Sequence, residues 1–123
     1  MFRNSSVKQA QKAGADAGNV ALKTPVYDFG YSGQFGDEIN WGSSIVQVPY
    51  ILYKLYGDTQ TMREHWDAMK TYMDFVARRK ATDYIVTALL ADWVSNEQTS
   101  QQIFGTWGYY ISAKNMADMA TLM

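Results

Sequence analysis

Two acidic residues, Asp37 and Glu38, stand just ahead of Trp41, and a third adjoins another indole in Asp92-Trp93. A carboxyl group shielded by an apolar ring holds its proton to a higher pH. Two carboxyls placed roughly 5 to 10 Å apart across a bond can protonate a leaving oxygen and activate a water. That is the chemistry of glycosidic-bond hydrolysis. Adjacency along a chain does not bring such groups together, and loop carboxylates commonly cap helices or face water, so Asp37, Glu38 and Asp92 stand as rim candidates. The indoles divide more sharply. Trp41 and Trp93 lie at loop ends beside polar residues, where a ring face can take the C–H face of a sugar while nearby donors bond its hydroxyls. Trp66 and Trp107 recur at helical spacing with other apolar residues, the latter with Phe104 and Ile111, and both are read as core.

Other chemistries find little support. His65 is the single histidine and there is no cysteine, so no set of converging ligands for a metal is expected, and no cofactor. Ser43 and Ser44 precede a helix without a nucleophile elbow and are read as caps. Gly30, Gly33 and Gly36 follow no strand and precede no lysine, which argues against a phosphate cradle. Eleven basic and twelve acidic residues, net charge −1 and spread without blocks, give no footprint for nucleic acid or an anionic membrane. The apolar run from Ile85 to Ala91 is too short to span a bilayer, and the N-terminus has no signal-peptide pattern. The compartment stays open.

These side chains need elements to hold them. Residues 1–18 read as an incomplete leading helix stopped by Gly14 and Gly18. Residues 19–42 form a rim loop rich in glycine and in aromatics (Tyr27, Phe29, Tyr31, Phe35). Structureless loops beyond roughly 12 to 15 residues are uncommon in compact domains and tend to be functional. A helical hairpin spans 43–80. Its first helix, from near Ser43 to Tyr56, is apolar all round, which predicts burial among other helices and a kink at Pro49. Gly57 supplies the left-handed stop, and Asp58 or Thr59 the following cap. The second helix, Gln60 to about Lys80, carries the stripe Met62, Trp66, Met69, Met73 and Val76. Residues 81–101 form a second rim loop that opens on an extended piece. The last helix, 102–123, presents Ala113, Ala117 and Ala120 as a small-residue stripe and reaches Met123 without a stop signal, as a truncated helix does. With 47% hydrophobic residues, four Trp, nine Tyr and seven Met, exposed apolar faces are expected to meet the rest of a larger domain or a second copy.

The order Trp41-Gly42, Val48-Pro49-Tyr50, Leu52-Tyr53, Tyr56-Gly57-Asp58, Met69, Tyr72, Asp92-Trp93, Thr99 and the run from Tyr109-Tyr110 to Ala120 resembles the catalytic domain of bacterial α-L-rhamnosidases, glycoside hydrolase family 78. The resemblance spans nearly the whole chain. It implies an all-α fold, a partial α/α barrel built from about a third of a six-hairpin toroid. It also implies inverting hydrolysis of terminal α-L-rhamnose, with a rhamnose-containing glycoside or polysaccharide as partner. Trp41 and Trp93 match tryptophans that line the rhamnose pocket. Two departures stand out: Trp41-Gly42-Ser43-Ser44 where Trp-Gly-Asp-Ala is usual, and Ala91-Asp92-Trp93 where Gly-Asp-Trp is usual. The family's general acid belongs to an upstream acidic cluster and its base lies downstream. The expectation is therefore an internal fragment that holds the sugar and lacks the acid–base pair. Another six-hairpin carbohydrate-active enzyme and a non-catalytic helical interaction module are the alternatives.

Overall fold

Three long helices and one short one account for most of the structure, a computed structural model that describes residues 17–20, 38–92 and 94–123. Asp37, Trp93, the Gly30–Gly36 glycines, the aromatics from Tyr27 to Phe35 and nearly all of the leading-helix segment lie outside the described residues. The elements run α1 (Ile39–Gly42), α2 (Ser44–Tyr56), α3 (Gln60–Arg79), β1 (Ala81–Thr82), β2 (Ile85–Val86) and α4 (Gln101–Ala120).

The turn between α2 and α3 follows from two residues. Gly57 adopts the left-handed conformation (φ 68°), and its amide donates to Tyr53 O at 2.8 Å, closing α2. Asp58 then caps α3: Oδ1 accepts from the amides of Gln60 (2.8 Å) and Thr61 (3.2 Å), while Oδ2 accepts from Thr61 Oγ1 (2.6 Å). Of the two residues the sequence offered for this cap, Asp58 carries it, and Thr59 makes no side-chain cap bond. α2 runs unbroken through Pro49, which is buried.

The core forms where α3 lies against α2 and α4. Met62, Ala68, Met69, Tyr72, Phe75 and Val76 of α3 pack with Ile45 and Val46 of α2, Met119 of α4, and Val20, Val86 and Ala88 from the flanking segments. Met62, Met69 and Val76 from the expected stripe are its centre, and Trp66 and Met73 flank it half-buried. α2 departs from the expected all-round burial. Ile45, Val46 and Pro49 are buried, whereas Val48, Ile51, Leu55 and Tyr56 face solvent, because α3 and α4 cover only two sides of the helix.

α4 differs further from expectation. Its buried residues are Gly105, Gly108, Ser112, Asn115 and Met119, spaced 3, 4, 3 and 4 along one face. Trp107, expected in the core, is 63% exposed, and Ala113, Ala117 and Ala120 also lie on the outside. The inward face is small and polar because several segments approach it closely: Val86 and Ala88 lie against Gly105, Asn40 lies against Gly108, and α2 meets Ser112 and Asn115 with hydrogen bonds. Gln47 Nε2 donates to Ser112 Oγ (3.1 Å), Asn115 Nδ2 donates to Gln47 Oε1 (2.6 Å), and Ser112 Oγ donates back to Gly108 O (2.7 Å). A larger side chain at Gly108 would collide with Asn40 of α1. One turn on, Tyr50 OH donates to Asp118 Oδ2 (3.0 Å), which also pairs with Lys114 at 2.9 Å.

These contacts set direction. Gln47 and Tyr50 meet Ser112 and Asp118 in the same order along the chain, so α2 and α4 run parallel. Arg63 near the start of α3 reaches Leu122 O just past α4 (2.7 Å), so α3 runs antiparallel to both. The N-termini of α2 and α4 and the C-terminus of α3 therefore share one end, with α1, the β-hairpin and the loop to α4. The tight Gly57 turn lies at the other. The hairpin pairs Ala81 with Val86 and Thr82 with Ile85, and both of its central residues, Asp83 and Tyr84, have positive φ (48° and 66°). This is a type I′ turn inside what the sequence presents as loop.

Candidate functional site

The loop-bearing end is the rim, and α1 is its first element. The sequence places residues 39–42 in a loop; they form one helical turn instead. Ile39 and Gly42 point inward and Trp41 points out, 53% exposed. Gly42 does not use a left-handed backbone. It provides clearance: a Cβ there would sit 3.2 Å from Tyr72 Oη and 3.2 Å from Val20 O. Tyr72, itself buried, donates its hydroxyl to Ile39 O at 3.1 Å and fixes the turn from below. Ser43 makes no side-chain cap bond; its Oγ donates to Asn40 O (2.9 Å) instead.

Glu38 is 2% exposed and does more than cap α1. Oε1 accepts from Asn40 N and Asn40 Nδ2, both at 3.3 Å, and Oε2 accepts from the amides of Leu89 (2.6 Å) and Leu90 (3.2 Å). Four N–H donors saturate a carboxylate, which accepts at about four lone-pair sites. Glu38 is thereby occupied by the N–H groups of Asn40, Leu89 and Leu90. The loop it grips is tied to α4 as well. Ala88 N donates to Gln101 O (3.0 Å), Gln101 Nε2 donates to Leu89 O (3.2 Å), and Val86 N donates to Thr106 Oγ1 (3.1 Å).

Asp92 follows two residues after the gripped amides. Its Oδ2 accepts from Thr99 N (3.0 Å), and Oδ1 is shielded from solvent with no partner among the described residues. The Thr99 amide, helped by the Thr99 hydroxyl, holds this carboxyl below its ordinary range, against a smaller opposing effect of desolvation. A depressed carboxyl stays ionised at neutral pH and is unsuited to act as a general acid. The preceding residue, Ala91, has φ 47°, a left-handed conformation that favours glycine. The Gly-Asp-Trp pattern from which Ala91 departs thus has a backbone reason.

Of the five candidate residues, the structure brings Glu38 and the loop carrying Asp92 together, places Trp41 on the gripped turn, and leaves Asp37 and Trp93 outside the described residues. A cavity of about 60 Å³ lies between α1, α3 and the hairpin, lined by Asn19, Glu38, Tyr72, Lys80, Thr87 and Leu89 among others. A roomier groove of about 670 Å³ runs along the outer face of α4, past Ile85, Ile103, Thr106, Trp107 and Tyr110, with the two aromatic rings 5.7 Å apart and tilted by 39°. Sequence periodicity could not find this groove, because it counted Trp107 as core. His65 is half-buried on α3, with Nε2 unpartnered among the described residues, and those residues hold no cluster of three metal-ligating side chains. No described helix is long and apolar enough to cross a membrane.

No curated protein and no solved structure matches the chain. A family model does, that of the bacterial alpha-L-rhamnosidase 6 hairpin glycosidase domain, and the match runs over residues 1–123. The helical architecture, the paired α2–α3 hairpin and the whole-length match agree, and the chain belongs to the six-hairpin glycosidase domain family of bacterial α-L-rhamnosidases.

Proposed function

We propose that the chain is the sugar-holding part of a catalytic domain that removes terminal α-L-rhamnose by inverting hydrolysis, with Trp41 and Trp93 as the substrate-binding aromatics. The observation that carries this is the setting of Trp41. Its indole is half exposed on a turn whose flanking residues are buried, hydrogen-bonded from Tyr72 and clamped by Glu38. A rigid, outward aromatic at a glycosidase rim is a stacking platform for the apolar face of a sugar. Inverting hydrolysis also needs an acid and a base on opposite faces of the ring. Four N–H donors occupy Glu38 and Thr99 holds the Asp92 carboxyl low, so on this reading neither described carboxyl is the general acid and the segment serves to hold the sugar.

The partner of this reading is a rhamnose-containing glycoside. The exposed faces of α2 (Val48, Ile51, Leu55) and α4 (Ile103, Trp107, Tyr110) pack against further helices of the same domain, or against a second copy when the chain is alone. Titration with L-rhamnose, followed by tryptophan fluorescence, tests the platform. Trp41→Ala weakens binding by about tenfold, in line with loss of one aromatic contact worth about 1 to 1.5 kcal/mol. Tighter binding of L-fucose or D-glucose than of L-rhamnose would favour another six-hairpin carbohydrate-active enzyme instead.

A further inference from the structure

The rim has two halves. One is α1 with Trp41; the other is the loop from Ala88 to Asp92 that leads into Trp93. They are 51 and 52 residues apart at the bonds that join them, and those bonds end on a single side chain, Glu38. We infer that Glu38 is a positioning residue that sets the separation of the two halves of the sugar site, an inference that rests on the platform role of Trp41 proposed above.

Three features assign this role. The first is division of labour between the two oxygens: Oε1 holds Asn40, next to Trp41, and Oε2 holds Leu89 and Leu90, next to Ala91 and Asp92. Rotation or loss of the carboxylate would uncouple the two halves from each other, leaving α1 held by Tyr72 and the loop held by Gln101. The second is burial. At 2% exposure the group is screened from water that would otherwise compete for the amides, and bonds from amides to a charged acceptor are stronger than neutral ones. The third is the lack of a substitute. Leu89 is 49% exposed, and among the described residues neither its amide nor that of Leu90 has a backbone acceptor, so Glu38 is the acceptor that holds these two N–H groups.

Glu38→Gln is the discriminating variant. It keeps the size and shape of the side chain and replaces one acceptor oxygen by an NH₂ donor, which cannot accept from the facing amides. Amide hydrogen exchange in the 123-residue chain reads the clasp directly. In the parent, Leu89 and Leu90 are protected despite lying in an exposed loop; in Glu38→Gln their exchange rises about ten- to a hundredfold, the factor expected when a bond to a charged acceptor is lost, while Met69 and Val76 at the centre of α3 keep their protection. Affinity for L-rhamnose falls about tenfold in the same variant although Trp41 is intact.

The parent measurement stands whether or not the variant folds: unprotected Leu89 and Leu90 amides in the parent overturn the proposal. So does faster exchange in Glu38→Gln with unchanged rhamnose affinity, because the clasp would then order a loop that the site does not use. Failure of the platform itself looks different. Trp41→Ala would leave rhamnose affinity unchanged with Leu89 and Leu90 still protected.

Discussion

The hairpin that feeds the Glu38-gripped loop turns through Asp83 and Tyr84, both at positive φ, and Tyr84 is 80% exposed. A side chain in the left-handed region costs roughly 1 to 2 kcal/mol, and the aromatic ring gains little in return where most of it faces water. A pair of substitutions isolates this backbone cost. Tyr84→Ala and Tyr84→Gly both remove the ring, and with it whatever the ring touches. They differ in φ. At an ordinary position alanine is the more stable of the two by roughly 0.5 to 1 kcal/mol, because glycine loses more chain entropy on folding. At residue 84 the relief of 1 to 2 kcal/mol outweighs that loss. The glycine variant, which creates the Asp-Gly pair favoured in type I′ turns, is then the more stable by about 0.5 to 1 kcal/mol. For a domain of this size, that separates the melting temperatures by about 2 to 4 °C. Thermal unfolding followed by far-ultraviolet circular dichroism measures it. Equal midpoints, or a higher midpoint for Tyr84→Ala, would show that residue 84 is not held at positive φ and that the turn type is wrong.

Two further predictions concern the loop and the outer faces, beside those for Trp41 and Glu38 above. The Asp92 carboxyl is held below its ordinary value of 3.8 by Thr99, so its contribution is fully present above the unfolded pKa and is lost as pH falls below about 4 through the folded value. A carbon-detected titration gives an Asp92 midpoint below 3.8 and a parallel loss of Thr99 amide protection; a midpoint at or above 3.8 would contradict the Thr99 bond. Sedimentation of the isolated chain shows concentration-dependent association that the double variant Leu55→Lys, Trp107→Lys weakens severalfold. A monomer at all concentrations would argue against the exposed faces as packing surfaces.

Much of the helical architecture is written locally. Gly57 and Asp58 end one helix and begin the next through bonds spanning only a few residues, and Met62, Met69 and Val76 repeat at a spacing that fixes which face of α3 goes inside. The order of aromatic and glycine positions was enough to point to the family. Periodicity failed on α4 for a definite reason. A hydrophobic stripe marks the inward face only when the partner surface is apolar and distant enough for large side chains. Here the backbone at Val86 and Ala88 crowds Gly105, Asn40 crowds Gly108, and Gln47 of α2 bonds Ser112 and Asn115, so these four residues form the buried face while Trp107 and Ile103 face out.

The candidate site shows the same boundary. By itself the sequence determined that carboxylates and indoles stand close together along the chain, in a helical protein with no cysteine and a single histidine. It could not decide what Glu38 does, because the amides of Leu89 and Leu90 lie 51 and 52 residues away and backbone donors leave no mark on residue type. Nor could it show that Gly42 is needed for clearance from Tyr72, or that Ala91 occupies a conformation suited to glycine. Tertiary structure decided these points, because each depends on which peptide groups from distant segments meet, and any residue but proline can supply a backbone N–H.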